Sequence, residues 1–189
     1  PDLSRVAVVG HSAGGDLTGD IAAVAVDKGL PQPKAAMLVE AARGKEMQTG
    51  KNIPLIPVED FSKIAASTLM LVVVGDDDTI AGDSDAKIFF KTASKVPPQN
   101  KDFIIVHSDH HGTPDLKATH FAPVANSKLK ESINALDYYA YWKLFDALSD
   151  CAFYRKNCDV ALGNTPAQRF MGKWSDGTPV KELTVTDHP

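Results

Sequence analysis

Val6-Ala7-Val8-Val9-Gly10-His11-Ser12-Ala13-Gly14-Gly15-Asp16-Leu17 decides how this chain is read. An apolar run of β-formers, Val6–Val9, enters Gly-x-Ser-x-Gly and leaves in small residues. A continuous apolar run is what a strand buried on both faces requires. Leu17, Ile21 and Val24 then recur at helical spacing. The pattern predicts strand, sharp turn and helix, a nucleophile elbow with the Ser12 hydroxyl raised above a sheet. Gly10 and Gly14 are expected to permit the turn, since side chains there would collide where strand folds back against helix. The helix start turns backbone N–H groups, that of Ala13 foremost, toward a developing oxyanion. The plainer alternative is a β–α turn whose serine only caps the helix.

Outward from that stretch the chain alternates. Lys28-Gly29 gives a stop signal for the first helix, near Asp27. Ala35–Val39 is a short apolar strand ending at Glu40-Ala41. Arg43 to about Lys63, with Gly44, Gly50, Pro54 and Pro57, has no period and is expected to be a long loop. Long loops in compact domains are often functional, and this one is expected to form part of a substrate rim. Thr68–Val74 is the strongest strand and runs into Gly75-Asp76-Asp77-Asp78-Thr79-Ile80. A helix from Asp83 or Ser84 to about Ser94 follows, with Ala86, Phe89, Phe90 and Ala93 facing the sheet. Asp102–His107 is the next strand, leading into Ser108-Asp109-His110-His111-Gly112-Thr113-Pro114.

This βαβ rhythm predicts an α/β fold, a mostly parallel sheet flanked by helices. Ligands of such sheets bind beyond the C-terminal strand ends, where Ser12, the aspartates and the histidines all fall. A long helix is expected from Lys128 or Glu131 to Leu148, with Ile133, Leu136, Ala140, Leu144 and Leu148 along one face. Tyr138, Tyr141, Trp142 and Phe145 flank that stripe and are expected to be core. Thr165-Pro166 starts a short helix that stops at Gly172, and Val180–Val185 is a terminal extended segment. The expected organisation is one domain over residues 1–189, with a catalytic core of about 5–150 and an extension at 151–189.

Composition sets outer bounds. Of 189 residues, 43% are hydrophobic and 23% charged, an ordinary globular balance. The formal charge of −4 offers no basic patch for nucleic acid or an anionic surface. No apolar run approaches the roughly 20 residues that span a bilayer. Cys151 and Cys158 suit a small surface disulfide, which would point to an oxidising compartment; reduced, they would suit the cytoplasm, and the compartment stays open. Neither belongs to a CxxC metal pattern.

A serine becomes a useful nucleophile only when a base takes its proton and a third group orients that base. An acid candidate and base candidates follow Ser12 in that order, as in Ser…Asp…His chains. Four histidines lie at or after the end of the last strand of the alternation: His107 at its end, then His110, His111 and His120. His111 precedes Gly112, which lets the loop turn back; His120 precedes Phe121. His107, Asp109, His110, His111 and His120 are also conceivable metal ligands. Adjacent histidines rarely face one ion and no helical i,i+4 pair exists, so no metal is expected. His11 is expected to pack beneath the elbow.

Gly10-His11-Ser12-Ala13-Gly14-Gly15 resembles the elbow of α/β-hydrolase fold esterases and lipases. Gly75-Asp76-Asp77-Asp78 resembles the segment that carries the family's acid in a Gly-x-x-Asp pattern, and His111-Gly112 its histidine. The likeness covers roughly Val6 to Leu148. It implies Ser12 as nucleophile, Asp78 as acid (Asp76 next), His111 as base (His120 as alternative) and the Ala13 N–H as one oxyanion donor. It further implies a small ester or acyl substrate, no cofactor, and an acyl-enzyme. A non-catalytic binding module on the same fold is the alternative. By the same resemblance the first strands of the sheet and the second oxyanion donor are missing, as in the C-terminal portion of a larger domain. An upstream segment of the protein is therefore expected to cover an otherwise exposed edge at Val6–Val9.

Overall fold

The computed structural model describes residues 2–43, 57–125 and 132–189. Five strands form one sheet in the order β1 (Ala7–His11), β2 (Ala35–Val39), β3 (Leu69–Gly75), β4 (Lys101–Val106) and β5 (Thr184–Thr186). The first four are parallel, and β5 runs antiparallel to β4. Register pairs Val9 with Met37, Met37 with Leu71, and Val72 with Phe103. All the parallel strands therefore end on the same side of the molecule.

The apolar runs explain this layout. Every residue of β2 is buried, and β3 is buried from Leu69 to Val74. Only a strand covered on both faces can be apolar throughout, and parallel sheets supply that cover with helices. One face carries α1 (Ala13–Val24) and α2 (Ser84–Thr92), with Phe61, Phe89, Phe90 and Phe103 in its core. The other carries a π-helical stretch, Asp137–Trp142, continuing into α3 (Lys143–Tyr154), with Leu136, Leu144 and Leu148 fully buried.

β1 lies at the sheet edge and is only partly covered. Val9 is 49% exposed, and Leu17 and Ile21 of α1 are exposed as well. At the other end, residues 151–189 enter the sheet through β5 and supply Met171, Val180, Leu183 and Val185 to the core. Cys151 and Cys158 form a disulfide that ties α3 to α4 (Cys158–Ala161). Closing a loop of seven residues' separation stabilises the fold by about 2–3 kcal/mol in the chain-entropy view. α5 (Pro166–Arg169) begins as its sequence dictates, with Thr165 capping Gln168 N–H and Pro166 at the first position.

Several expectations shift. The first helix ends at Val24 and is followed by turns to Gly29, whose φ of 69° marks the chain reversal. The long helix extends to Tyr154. Ile133 precedes it and is 52% exposed, so it does not join the buried stripe. Of the flanking aromatics Tyr141 is buried, whereas Tyr138 and Trp142 are exposed. The π turn is the physical reason: an i→i−5 bond, Lys143 N–H to Tyr138 O, offsets the side chains from simple 3.6-residue spacing. The expected helix start at Lys128 or Glu131 lies outside the described residues. So does most of the loop expected from Arg43 to Lys63, whose described end holds a 3-10 turn, Phe61–Lys63, capped by Asp60. No described helix is long and apolar enough to cross a membrane.

Candidate active site

The turn after β1 holds Ser12 at φ 57° and ψ −127°, left-handed backbone that a non-glycine residue adopts only under constraint. Its N–H is tied to Val39 O at 2.9 Å, and its carbonyl accepts from Gly15 N–H at 2.8 Å. Gly10 is required by close approach: a Cβ there would lie 2.0 Å from Gly14 O. The second tight position is Gly15, where a Cβ would meet Ala41 Cβ at 2.7 Å. Gly14, expected to share that role, has open space around its Cβ position, because it faces out from the first turn of α1.

Ser12 precedes α1 but makes no side-chain capping bond. Its Oγ instead lies 3.0 Å from His120 Nε2. His120 Nδ1 lies 2.9 Å from Asp78 Oδ2. A ring nitrogen facing a carboxylate carries the hydrogen, which leaves Nε2 to accept the Ser12 O–H. Asp78 is itself fixed, because its Oδ1 accepts from Ile80 N–H at 2.9 Å and Ala81 N–H at 2.8 Å. Burial pushes the Asp78 carboxyl up, but the hydrogen bonds from His120 and Ala81, with the His120 charge and the Ile80 N–H, hold it below the usual carboxylate range.

His111, the histidine expected beside Ser12, lies elsewhere. Mutual backbone bonds between Asp109 and Leu116, both 2.9 Å, close a protruding loop with His111 near its tip. There His111 Nε2 bonds Asp176 Oδ2 at 2.8 Å, and its ring centre is 5.9 Å from that of Trp174. The loop then returns over the sheet end. Ser108 Oγ accepts from Ala118 N–H at 3.0 Å, and Asp77 N–H donates to Ala118 O at 3.1 Å. Gly75 allows that return, since a Cβ there would sit 2.1 Å from Ala118 O. Two residues later the chain delivers His120 to Ser12.

The remaining candidates have other partners. Asp76 accepts from Ser108 N–H and Oγ and bonds His107 Nδ1 at 2.9 Å, so it organises the base of the loop. His107 Nε2 bonds Thr184 Oγ1, and His110 bonds Asp115. His11 does more than pack: its Nε2 donates to the His120 carbonyl at 2.6 Å, clamping the loop from the elbow side. Ala13 opens α1, so its N–H has no carbonyl a turn earlier within the helix.

Glu40, which the sequence pattern marks only as the end of a strand, belongs to the same site. It directly follows β2, is fully buried, and has φ 49°. Its Oε2 lies 3.6 Å from His120 Nδ1, and Tyr141 Oη donates to its Oε1 at 3.2 Å. Burial, then the neighbouring Asp78 charge, push its carboxyl up to about 9. The available signal is its place at a parallel strand's C-terminal end, beside the strand ends carrying Ser12 and Asp78. One metal-like grouping occurs among the described residues: His11, Glu40 and His120. Both His120 nitrogens already face Asp78 and Ser12, and His11 Nε2 faces a carbonyl, so these donors do not fit an ion.

A family model described as alpha/beta hydrolase fold matches residues 1–98, just over half the chain. That stretch runs from the first strand through α2 and includes Ser12, Glu40 and Asp78. The chain belongs to the alpha/beta hydrolase fold family, and the general activity this family indicates is that of a hydrolase. No curated protein matches the chain significantly.

Proposed function

We propose that the chain is a serine hydrolase that cleaves carboxylic esters or related small acyl compounds. The observation that carries the reading is the unbroken relay from Ser12 Oγ through His120 to Asp78, at 3.0 and 2.9 Å. Ser12 Oγ attacks the acyl carbon while His120 Nε2 takes its proton. The imidazolium so formed is stabilised by Asp78, whose second oxygen is already saturated by backbone N–H groups. The Ala13 N–H, aided by the α1 dipole, stabilises the oxyanion. Collapse returns the proton to the leaving alcohol and leaves an acyl group on Ser12. Water, deprotonated by the same histidine, then releases the acid. No cofactor enters this scheme.

The half-exposed β1 edge bears on the second oxyanion donor. In this proposal a further strand pairs with β1 and covers Val9, and the loop attached to it provides that donor. An apolar cavity of about 480 Å³ opens beside His11, among Val9, Val39, Tyr141 and Phe145. None of Ser12, Asp78 or His120 lines it, so it carries no argument about substrate.

The test is hydrolysis of p-nitrophenyl acetate by the wild type and Ser12→Ala. The variant is expected to lose about 10^5-fold or more in kcat/KM with its thermal transition intact. Turnover retained by the variant would remove Ser12 from the reaction. A wild type that neither turns over ester nor takes up an organophosphorus label would favour the non-catalytic binding module instead.

A further inference from the structure

The carboxyl least explained by the relay is that of Glu40. It is fully buried, and as a carboxylate its Oε2 would have no hydrogen-bond donor among the described residues. The groups that face it are Asp78 from the loop after β3, His120 from the loop after β4, and Tyr141 from the π-helical stretch. Tyr141 already satisfies Oε1, so only Oε2 is left. His120 Nδ1 is too far for a good bond to Oε2, at 3.6 Å against 2.9 Å to Asp78. Both carboxyls converge on one atom, His120 Nδ1, with Asp78 Oδ2 at 2.9 Å and Glu40 Oε2 at 3.6 Å, so the two side chains are neighbours. Two buried carboxylates in contact would repel each other; one proton between them turns repulsion into a hydrogen bond.

We propose that Glu40 is a positioning residue: its carboxyl carries a proton, donates it in a hydrogen bond to Asp78, and so holds that carboxylate against His120 Nδ1. This rests on the reading of Ser12, His120 and Asp78 as the reacting relay. Asp78 is then fixed by Ile80 and Ala81 N–H on one oxygen and by Glu40 and His120 around the rest. Burial, then the Asp78 charge, favours the neutral acid, lifting Glu40 to about 9. Tyr141 locks the orientation, and the π turn contributes by bringing Tyr141 Oη to Oε1. The left-handed backbone of Glu40 is strain tolerated at a site where a side chain must be aimed.

The chemistry distinguishes glutamine from leucine. The amide of Glu40→Gln donates to Asp78 and accepts from Tyr141; the side chain of Glu40→Leu does neither. Ester hydrolysis and thermal unfolding would be measured for wild type, Ser12→Ala, Glu40→Gln and Glu40→Leu across pH 6–10. The expected result is a kcat for Glu40→Gln within about threefold of wild type and a loss of about 10–100-fold for Glu40→Leu, mainly in kcat. In wild type, kcat is expected to fall as pH rises past about 9, because an ionised Glu40 repels Asp78. In Glu40→Gln that fall disappears. If Ser12→Ala retains activity, the underlying reading fails, and this inference with it. If Ser12→Ala is inactive but Glu40→Leu matches wild type, the inference alone fails. Equal losses in Glu40→Gln and Glu40→Leu, tracking lost stability, would also overturn it. Should Glu40→Leu not fold, the alkaline limb decides: its persistence in Glu40→Gln overturns the proposal.

Discussion

His120–Asp78 and His111–Asp176 are histidine–aspartate pairs of nearly the same length, 2.9 and 2.8 Å, in opposite surroundings. The first pair's side chains are 6% and 0% exposed, the second's 44% and 57%. Water screens the outer pair, competes for its hydrogen bond and leaves both side chains free to leave it. The inner pair has no such competitor, and every lone pair on Asp78 Oδ1 is committed to the backbone. Length alone therefore does not separate a buried pair from a surface contact. What separates them is the return of the chain at Ala118, which carries His120 back under the loop whose tip presents His111.

That contrast is sharpened by substitution. On the proposed mechanism His120→Ala is expected to lower kcat/KM for p-nitrophenyl acetate by about 10^5-fold or more, since Ser12 would lose its base. Asp78→Asn is expected to cost about 10^4-fold, because an amide in that place favours the wrong imidazole tautomer. Circular dichroism should show both variants folded. If Asp176→Asn matched the loss of Asp78→Asn, the distinction between the two pairs would collapse.

Asp16 extends the comparison to a buried carboxyl with no hydrogen-bond partner among the described residues. It lies in the first turn of α1, fully buried, and neither oxygen has a hydrogen bond among the described residues. Burial, then the nearby Asp85 and Asp20, raise it to about 7. Its folded-state value therefore exceeds the unfolded one, and an acid raised in this way destabilises the fold as pH climbs from about 4 to 7. Asp16→Asn should accordingly be more stable than wild type at pH 8 by roughly 2 kcal/mol, with the gain vanishing near pH 4. Asp78 works in the opposite sense. Its lowered value contributes stability above the unfolded value that is lost as pH falls through the folded one. Denaturant titrations at about pH 2, 4, 6 and 8 would test both directions, the lowest step reporting Asp78 and the upper ones Asp16. The smallest effect is expected from His111→Ala, with kcat/KM changed less than about twofold and little loss of stability.

Much of the fold is legible in the sequence because it rests on local pattern. Ala35–Val39 is continuous apolar sequence and is a strand over that same span. The elbow is visible for the same reason, with Ser12 between a buried-type run and a helix start. The histidine is not, because His111 and His120 differ only in what the loop does between them. A bridge from Asp109 to Leu116 and the seat of Ala118 on Gly75 decide that, and both are long-range contacts. Glu40 escapes sequence reasoning for a related reason. A charged residue after an apolar strand usually marks solvent, and the burial of Glu40 comes from Asp78, His120 and Tyr141, all far along the chain. The π turn is hidden similarly, since Leu136, Ala140 and Leu144 suit an ordinary helix.

The central claim is that Ser12 is activated by the inner pair and not by the outer one. Reaction with a fluorophosphonate, read by mass spectrometry of the Ser12 peptide, tests it without a known substrate. Wild type and His111→Ala are predicted to be labelled on Ser12 at similar rates, and His120→Ala to remain unlabelled on the same timescale. Rapid labelling of His120→Ala, or loss of labelling in His111→Ala, would contradict the account.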